Sequence, residues 1–190
     1  MRLLLATRNH HKLREFQRLL PTVELDPLPD HLPSPPEDGD TYAANALIKA
    51  RAAVAATGRA AIADDSGIEA EALGGAPGVR SARYAGEHAT DEENLAKLLR
   101  EVPDDGDRGV AYVCALAYVA PDGTEHLVEG RCTGRLAEAP RGDGGFGYDP
   151  AFVPDDIGDG RTMAELAPSE KHAISHRGRA ARALLAWLPS

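Results

Sequence analysis

Two adjacent aspartates, Asp64 and Asp65, stand in the segment IADDSG, between an apolar run and a pair of small residues. Carboxylates at the end of a buried strand could bind Mg²⁺, which prefers a few carboxylates plus phosphate oxygens, and one could activate water. A polar turn with both side chains in solvent is the alternative. Because successive strand side chains point to opposite faces, we expect Asp65 to point into a site and Asp64 elsewhere.

The segment Thr7-Arg8-Asn9-His10-His11-Lys12 follows the first apolar run of the chain. A strand, a turn and a helix start can together bind phosphate, because helix-end N–H groups and the Lys12 ammonium converge there. The alternative is a helix that begins at Asn9 and leaves Lys12 in solvent. The segment alone favours that alternative, since it lacks the glycine pattern of a P-loop.

A glycine-rich segment, GGFGYDP, covers residues 144–150. Its glycines allow close approach of the backbone to a flat ligand, and Phe146 could stack on a base. A tight loop with one aromatic side chain in the core is an equally good interpretation.

Basic residues collect near the end of the chain, where Lys171, Arg177 and Arg179 accompany two histidines. On one continuous helix, His172 and His176 would share a face, which raises the possibility of zinc. However, Ala173 stands where a zinc-protease motif needs glutamate, and no third ligand follows. A basic turn that contacts a nucleotide is the better hypothesis, with a solvated basic helix as the alternative.

The elements that must position these segments alternate along the first half of the chain. Apolar runs predict strands, and Ala-rich or amphipathic spacing predicts helices. A Pro121-Asp122-Gly123 turn predicts a later hairpin, so the sequence indicates an α/β fold with a mixed sheet. The predicted strands are Leu3–Ala6, Val23–Leu28, Ala60–Ala63, Ile68–Leu73, Val110–Val119 and Glu125–Thr133, and the predicted helices are 13–20, Thr41–Thr57, Thr90–Arg100 and one closing helix, Ser169–Trp187.

Composition limits the classes of function. The chain has 190 residues, enough for one domain, 1–190, with a substantial core. Its net charge of −9 argues against a broad basic surface for nucleic acid. Cys114 and Cys132 match no metal or redox spacing and are expected to be buried, reduced thiols. No apolar run suggests a membrane span or signal peptide, so we expect a cytoplasmic protein without a membrane partner.

Taken in order, these segments resemble the inosine/xanthosine triphosphate pyrophosphatase family, the house-cleaning enzymes of the nucleotide pool. The matching stretches are LLLATRNHHKLREF, EDGDTYAANALIKA, ADDSGIEAEALGGAPGVRSARYAG, GGFGYDPAF and TMAELAPSEKHAISHRGRA, which together cover nearly the whole chain.

The resemblance implies an elongated mixed β-sheet flanked by helices, with a deep nucleotide cleft. It also implies a Mg²⁺-dependent homodimer that cleaves ITP, dITP and XTP to the monophosphate and pyrophosphate. Carried over by motif, Asp65 is the catalytic carboxylate, a general base and metal ligand, and Glu37 is the second metal ligand. The implied substrate-binding residues are Thr7, Arg8, Asn9, His10, His11, Lys12, Ser66, Phe146, Gly147, Tyr148, Asp149, Lys171, His176 and Arg177.

Two positions depart from the family pattern. Arg8 replaces a common glycine, and its cation either contacts phosphate or points to solvent. Ala44 replaces a common glutamate before Asn45, which leaves any metal role to Glu37 and Asp65. A pyrophosphatase for another altered base is the main alternative, and a nucleotide-binding module without chemistry is the alternative outside enzymes.

Overall fold

A computed structural model describes residues 1–189 of the chain. Strands and helices alternate through the first half, and a hairpin and two helices complete the chain. The strands are β1 (Arg2–Leu5), β2 (Glu24–Pro27), β3 (Ala61–Ala70), β4 (Gly109–Val119), β5 (Glu125–Leu136) and β6 (Phe152–Pro154), and the helices are α1 (His10–Leu19), α2 (Tyr42–Thr57), α3 (Asp91–Glu101), α4 (Pro168–Ile174) and α5 (His176–Trp187).

The six strands form one mixed sheet in the order β2-β1-β3-β4-β5-β6. Strand β1 pairs in parallel with β2, with Leu3 opposite Leu25, and with β3, with Leu5 opposite Ile62. Strand β5 pairs antiparallel with β6. The predicted α/β class with a mixed sheet and flanking helices is therefore confirmed.

Local signals in the sequence explain where the first three helices begin and end. The Asn9 side chain caps α1, and Gly58 closes α2 in the left-handed conformation that glycine adopts without strain. Helix α3 begins with a capping box in which Thr90 and Glu93 exchange hydrogen bonds.

The predicted interruption of the third strand is wrong. Asp64, Asp65 and Ser66 do not follow a strand end, because β3 runs without a break from Ala61 to Ala70. Gly67 is buried within it and has no left-handed backbone, so no turn forms there. Residues 71–73, predicted as strand, form a short 3-10 helix.

The predicted single closing helix is also wrong. Helix α4 ends at Ile174, and Ser175 adopts an extended backbone with φ −62° and ψ 154° before α5 begins at His176. His172 and His176 therefore lie on different helices, and the shared face that suggested zinc does not exist.

The described residues divide into two compact units. The first unit comprises residues 1–65, 114–130 and 177–189, and its core includes Phe16, Ile62 and Leu184. The second comprises residues 66–113 and 131–176, and its core includes Leu98, Tyr112 and Phe152.

Both cysteines are buried free thiols, Cys114 in the first unit and Cys132 in the second, as expected. Among the residues described, no helix is both long and apolar enough to cross a lipid bilayer.

Candidate active site

The centre of the first unit's polar cluster is Asp64, whose side chain is fully buried in β3. Lys12 Nζ lies 2.9 Å from Asp64 Oδ2, and Arg177 Nε lies 3.5 Å from the same oxygen. Burial alone would raise the pKa of Asp64, but the Lys12 and Arg177 charges outweigh it and hold that pKa well below the usual aspartate range. Asp64 is therefore a permanent anion that holds two cations in place.

Asp65, the next residue, faces a different set of partners from helix α2. Asn45 Nδ2 donates to Asp65 Oδ2 at 3.0 Å, and Lys49 Nζ lies 3.8 Å from Asp65 Oδ1. Burial raises the pKa of Asp65, and the Lys49 charge and the Asn45 hydrogen bond offset only part of that rise. Two adjacent aspartates thus have pKa values displaced in opposite directions, the pattern of carboxylates with different tasks.

Strand and helix geometry explain this division. Successive side chains of β3 point to opposite faces, so Asp64 and Asp65 cannot share their partners equally. Asn45 and Lys49 stand one helical turn apart on α2 and reach the same carboxylate together. The prediction that the two aspartates point in different directions is confirmed.

Glu37 and Asp65, the two predicted metal ligands, face the same side chain. Lys49 Nζ lies 2.6 Å from Glu37 Oε1 and 3.8 Å from Asp65 Oδ1, so both carboxylates face one cation. Within residues 1–189, no group of three or more His, Cys, Asp or Glu side chains could hold a metal ion. Two carboxylates nevertheless fit Mg²⁺, which proteins commonly bind through one or two carboxylates, water and substrate phosphates.

The start of α1 combines both interpretations of the segment 7–12. Asn9 Oδ1 accepts from the backbone N–H groups of His11 at 2.8 Å and Lys12 at 3.2 Å, and Thr7 Oγ1 accepts from Asn9 N at 3.2 Å. The helix therefore begins at Asn9, as the alternative held. Lys12, however, is not left in solvent but paired with Asp64, and His10 and His11 are exposed.

Arg8 is exposed, but its guanidinium has protein partners. Its guanidinium donates to the carbonyl oxygens of Leu28 at 3.1 Å and Pro29 at 2.8 Å, and also to that of Leu32. In this structure Arg8 thus fixes the proline-rich segment after β2.

The second unit holds a separate cluster around Asp149, which is buried. Lys171 Nζ lies 2.7 Å from Asp149 Oδ2, Phe146 N donates to the same oxygen at 3.0 Å, and Tyr112 Oη donates to Oδ1 at 3.1 Å. His176, also buried, stacks on the Tyr112 ring with centroids 4.6 Å apart. The sequence-predicted residues Asp149, Lys171 and His176 are thus brought together in one unit.

The Gly-rich loop before Asp149 carries two aromatic side chains that differ in burial. Tyr148 is buried, and its hydroxyl donates to the Ser81 carbonyl oxygen at 2.7 Å. Phe146 is half-buried, with Lys171 Nζ 5.2 Å from its ring centroid. Gly145 has φ +72° and lies so close to Asp149 that a Cβ there would meet Oδ2 at 2.0 Å, so this position requires glycine.

Four contributors escaped sequence reasoning. Asn45 and Lys49 bind Asp65, Glu15 Oε2 lies 3.2 Å from Arg177 Nη1, and Tyr112 connects His176 to Asp149. The i, i+4 spacing of Asn45 and Lys49 in a helix just before the paired aspartates could have indicated the first two. Tyr112 lies within an apolar strand and carries no such signal.

The chain is similar in sequence to a known protein family over nearly its whole length. Residues 3–187 match the model of the Ham1 family. The chain belongs to that family. Ham1 proteins are thus the group that the sequence resemblance indicated.

Known relatives align with this chain over nearly their full lengths. The chain is 50% identical over 193 residues to a dITP/XTP pyrophosphatase of Streptomyces coelicolor, covering 97% of this chain and 95% of the relative. It is 52% identical to a dITP/XTP pyrophosphatase of Symbiobacterium thermophilum, covering 100% of this chain and 95% of that protein. A HAM1 protein structure from Coxiella burnetii matches with a TM-score of 0.89 and 42% identity, covering 98% of both chains.

Proposed function

We propose that this Ham1 protein is a nucleoside triphosphate pyrophosphatase that hydrolyses dITP, ITP and XTP to the monophosphate and pyrophosphate. Relatives named dITP/XTP pyrophosphatase, about half identical over nearly the whole chain, support the substrate class. The observation that carries the chemistry is the arrangement of Asp65, a buried carboxylate of raised pKa that faces one cation together with Glu37.

Charge balance in the first unit supports a metal-dependent reaction. Three cations, Lys12, Lys49 and Arg177, are paired with carboxylates of Asp64, Asp65, Glu37 and Glu15. This cluster has no positive excess with which to neutralise a triphosphate. A divalent cation, proposed to be Mg²⁺ held by Glu37 and Asp65, would supply that charge when bound.

Asp65 is proposed as the general base that removes a proton from the attacking water. Asn45 fixes Asp65 Oδ2 at 3.0 Å, which orients the carboxylate. Burial raises the pKa of Asp65 towards the operating pH, where a base is most effective, and such assistance is typically worth ~10²–10⁴-fold in rate.

Phosphate binding is assigned to the start of α1. Lys12, held by Asp64, provides a positioned cation, and Thr7 and Asn9 shape the turn before the helix. Arg177 also pairs with Asp64, so one buried carboxylate holds both cations.

Base recognition is assigned to the second unit's cluster. Phe146 offers a half-buried ring for stacking, and Lys171, His176 and Asp149 provide polar groups in a buried setting. Buried polar groups discriminate strongly between bases, because a base with the wrong edge leaves them unpaired. The 6-keto edge shared by hypoxanthine and xanthine is the edge we propose these groups read.

The protein is further proposed to be a cytoplasmic homodimer that acts on free nucleotides and binds neither nucleic acid nor membrane. The net charge of −9 supports the absence of a polyanion-binding surface. Sedimentation or light scattering of the purified protein tests the dimer.

One assay tests the proposed function. Purified protein with Mg²⁺ is incubated with ITP, dITP, XTP, ATP and GTP, and pyrophosphate release is measured. We expect release from the first three, loss of release with EDTA, and a fall of ~10²–10⁴-fold in Asp65→Asn. Equal turnover of ATP would contradict the specificity, and tight binding without turnover would favour a binding module.

A further inference from the structure

The loop proposed to receive the base is held from two sides by carboxylates. Asp149 Oδ2 accepts from Phe146 N at 3.0 Å, within the loop. Asp91 Oδ2 accepts from Gly147 N at 2.8 Å, across 56 residues of sequence. Asp91 belongs to none of the motifs that suggested function, and all these residues lie in the second unit.

Asp91 is available for this contact because the start of α3 does not need its side chain. Thr90 Oγ1 accepts from Glu93 N at 3.2 Å, and Glu93 Oε2 accepts from Thr90 N at 2.8 Å. These two residues complete the helix cap. The Asp91 carboxylate, on the first residue of the helix, instead binds the loop.

Helix α3 is itself anchored to the segment that supports the other side of the loop. Asn94 Oδ1 accepts from Ala85 N at 2.7 Å, and Lys97 Nζ donates to the Tyr84 carbonyl oxygen at 2.8 Å. The same segment receives the Tyr148 hydroxyl at the Ser81 carbonyl oxygen. Hydrogen bonds therefore connect the helix, the segment 81–85 and the loop 146–149 to one another.

Gly147 is the point in the loop where such a restraint has most effect. It has φ +64°, a conformation that glycine adopts but readily leaves, since it lacks a side chain to restrict it. A hydrogen bond to a charged acceptor is stronger than one to a neutral acceptor. The Asp91 carboxylate thus selects one backbone conformation next to Phe146, the ring proposed to stack on the base.

We propose that Asp91 is a positioning residue for base recognition, which fixes the Phe146–Gly147 backbone from the start of α3 without touching the substrate. This inference rests on the proposed function for its kinetic consequence. Asp91 acts on nucleobase affinity and discrimination rather than on the hydrolytic step, because the general base and metal carboxylates belong to the first unit.

The test compares three variants of the full-length protein. Asp91→Ala removes the acceptor, Asp91→Asn retains a neutral one, and Glu93→Ala breaks the helix cap without touching Gly147. Steady-state kinetics with dITP and dGTP give kcat and KM, and hydrogen–deuterium exchange of peptides covering residues 141–150 reports the loop independently of activity.

For Asp91→Ala we expect KM for dITP to rise about three- to tenfold, from the loss of one exposed, charge-assisted hydrogen bond, with kcat within about twofold. Preference for dITP over dGTP should fall, and exchange at residues 141–150 should become faster. Asp91→Asn should recover most of the KM, and Glu93→Ala should leave KM and loop exchange at wild-type values.

Unchanged loop exchange in Asp91→Ala would overturn the inference, as would an equal rise in KM in Glu93→Ala. Failure of the wild-type protein to hydrolyse dITP would instead refute the proposed function. In that case the exchange measurement still decides whether Asp91 holds the loop.

Discussion

Asp64 and Asp65 are chemically identical neighbours whose surroundings shift their pKa values in opposite directions. Asp64 faces Lys12 and Arg177, which stabilise its ionised form. Asp65 faces the Asn45 amide and a more distant Lys49 ammonium, so burial prevails and its pKa is raised. One strand thereby supplies a structural anion and a candidate base at consecutive positions.

Replacing Lys49 with methionine should move the acid limb of the pH–rate profile to higher pH. The Lys49 charge lowers the pKa of Asp65, so its removal raises that pKa further. As the proposed base, Asp65 would act only when deprotonated, so activity should begin at a higher pH than in wild type. The measurement is kcat/KM for dITP from pH 5 to 9.

Arg51→Met is the matched control for Lys49→Met. Arg51 lies on the same helix but pairs with Glu125 at the surface, 2.7 Å away. Its removal should leave the acid limb where it is. An acid limb that is the same in Lys49→Met and wild type would show that Asp65 is not the titrating base.

Sequence reasoning identified Asp65, Glu37 and Lys12 but not the pairs they form. The position of Lys12 at a helix start predicts a phosphate ligand, but its ion pair with Asp64 joins two elements that are distant in sequence. Tyr112 alternates within an apolar strand like any core residue, so its hydroxyl bond to Asp149 has no signature in the chain. Partners from distant elements are what local patterns do not contain.

At the scale of elements, strand β3 shows why local propensity misled. Aspartate and glycine are poor strand residues, and the segment ADDSG therefore predicts a break between two strands. Tertiary contacts override that preference, because Lys12 pairs with Asp64 and Asn45 donates to Asp65 within the strand. The caps of α1, α2 and α3 were predictable because each depends on residues adjacent in sequence.

Local propensity also fails to predict the break between α4 and α5. No proline or glycine stands at 174–176, and residues 169–187 therefore read as one helix. Ser175 is extended, and both Lys171 before it and His176 after it are buried.

Gly134 in β5 lies where β5 and β6 pack closely against each other. A Cβ at this position would lie 2.3 Å from the Val153 carbonyl oxygen and 2.8 Å from the Phe152 ring. Gly134→Ala should therefore force β5 and β6 apart, at a cost of about 1–3 kcal/mol. We expect a fall in Tm of roughly 3–10 °C by calorimetry.

Thr133→Ala is the control for Gly134→Ala, since Thr133 is an exposed neighbour on the same strand. Its Tm should stay close to that of wild type. A Gly134→Ala protein with wild-type Tm would mean that β6 can shift without loss of packing.

At the scale of the whole molecule, a protein with a net negative charge is proposed to bind a substrate with several negative charges. The net charge is −9, and the cations of both clusters are already paired with carboxylates. Under the proposed function, attraction of a triphosphate would depend on a few buried cations and an accompanying metal ion, and the same charge balance disfavours long polyanions.

The reaction proposed for this protein is cleavage between the α and β phosphates of a deaminated purine nucleotide, with Asp65 as base. ³¹P NMR of dITP hydrolysis with Mg²⁺ tests it directly, because it identifies the phosphorus products. We expect dIMP and pyrophosphate in equal amounts, formed ~10²–10⁴-fold more slowly by Asp65→Asn. Formation of dIDP and orthophosphate, or wild-type rates in Asp65→Asn, would contradict it.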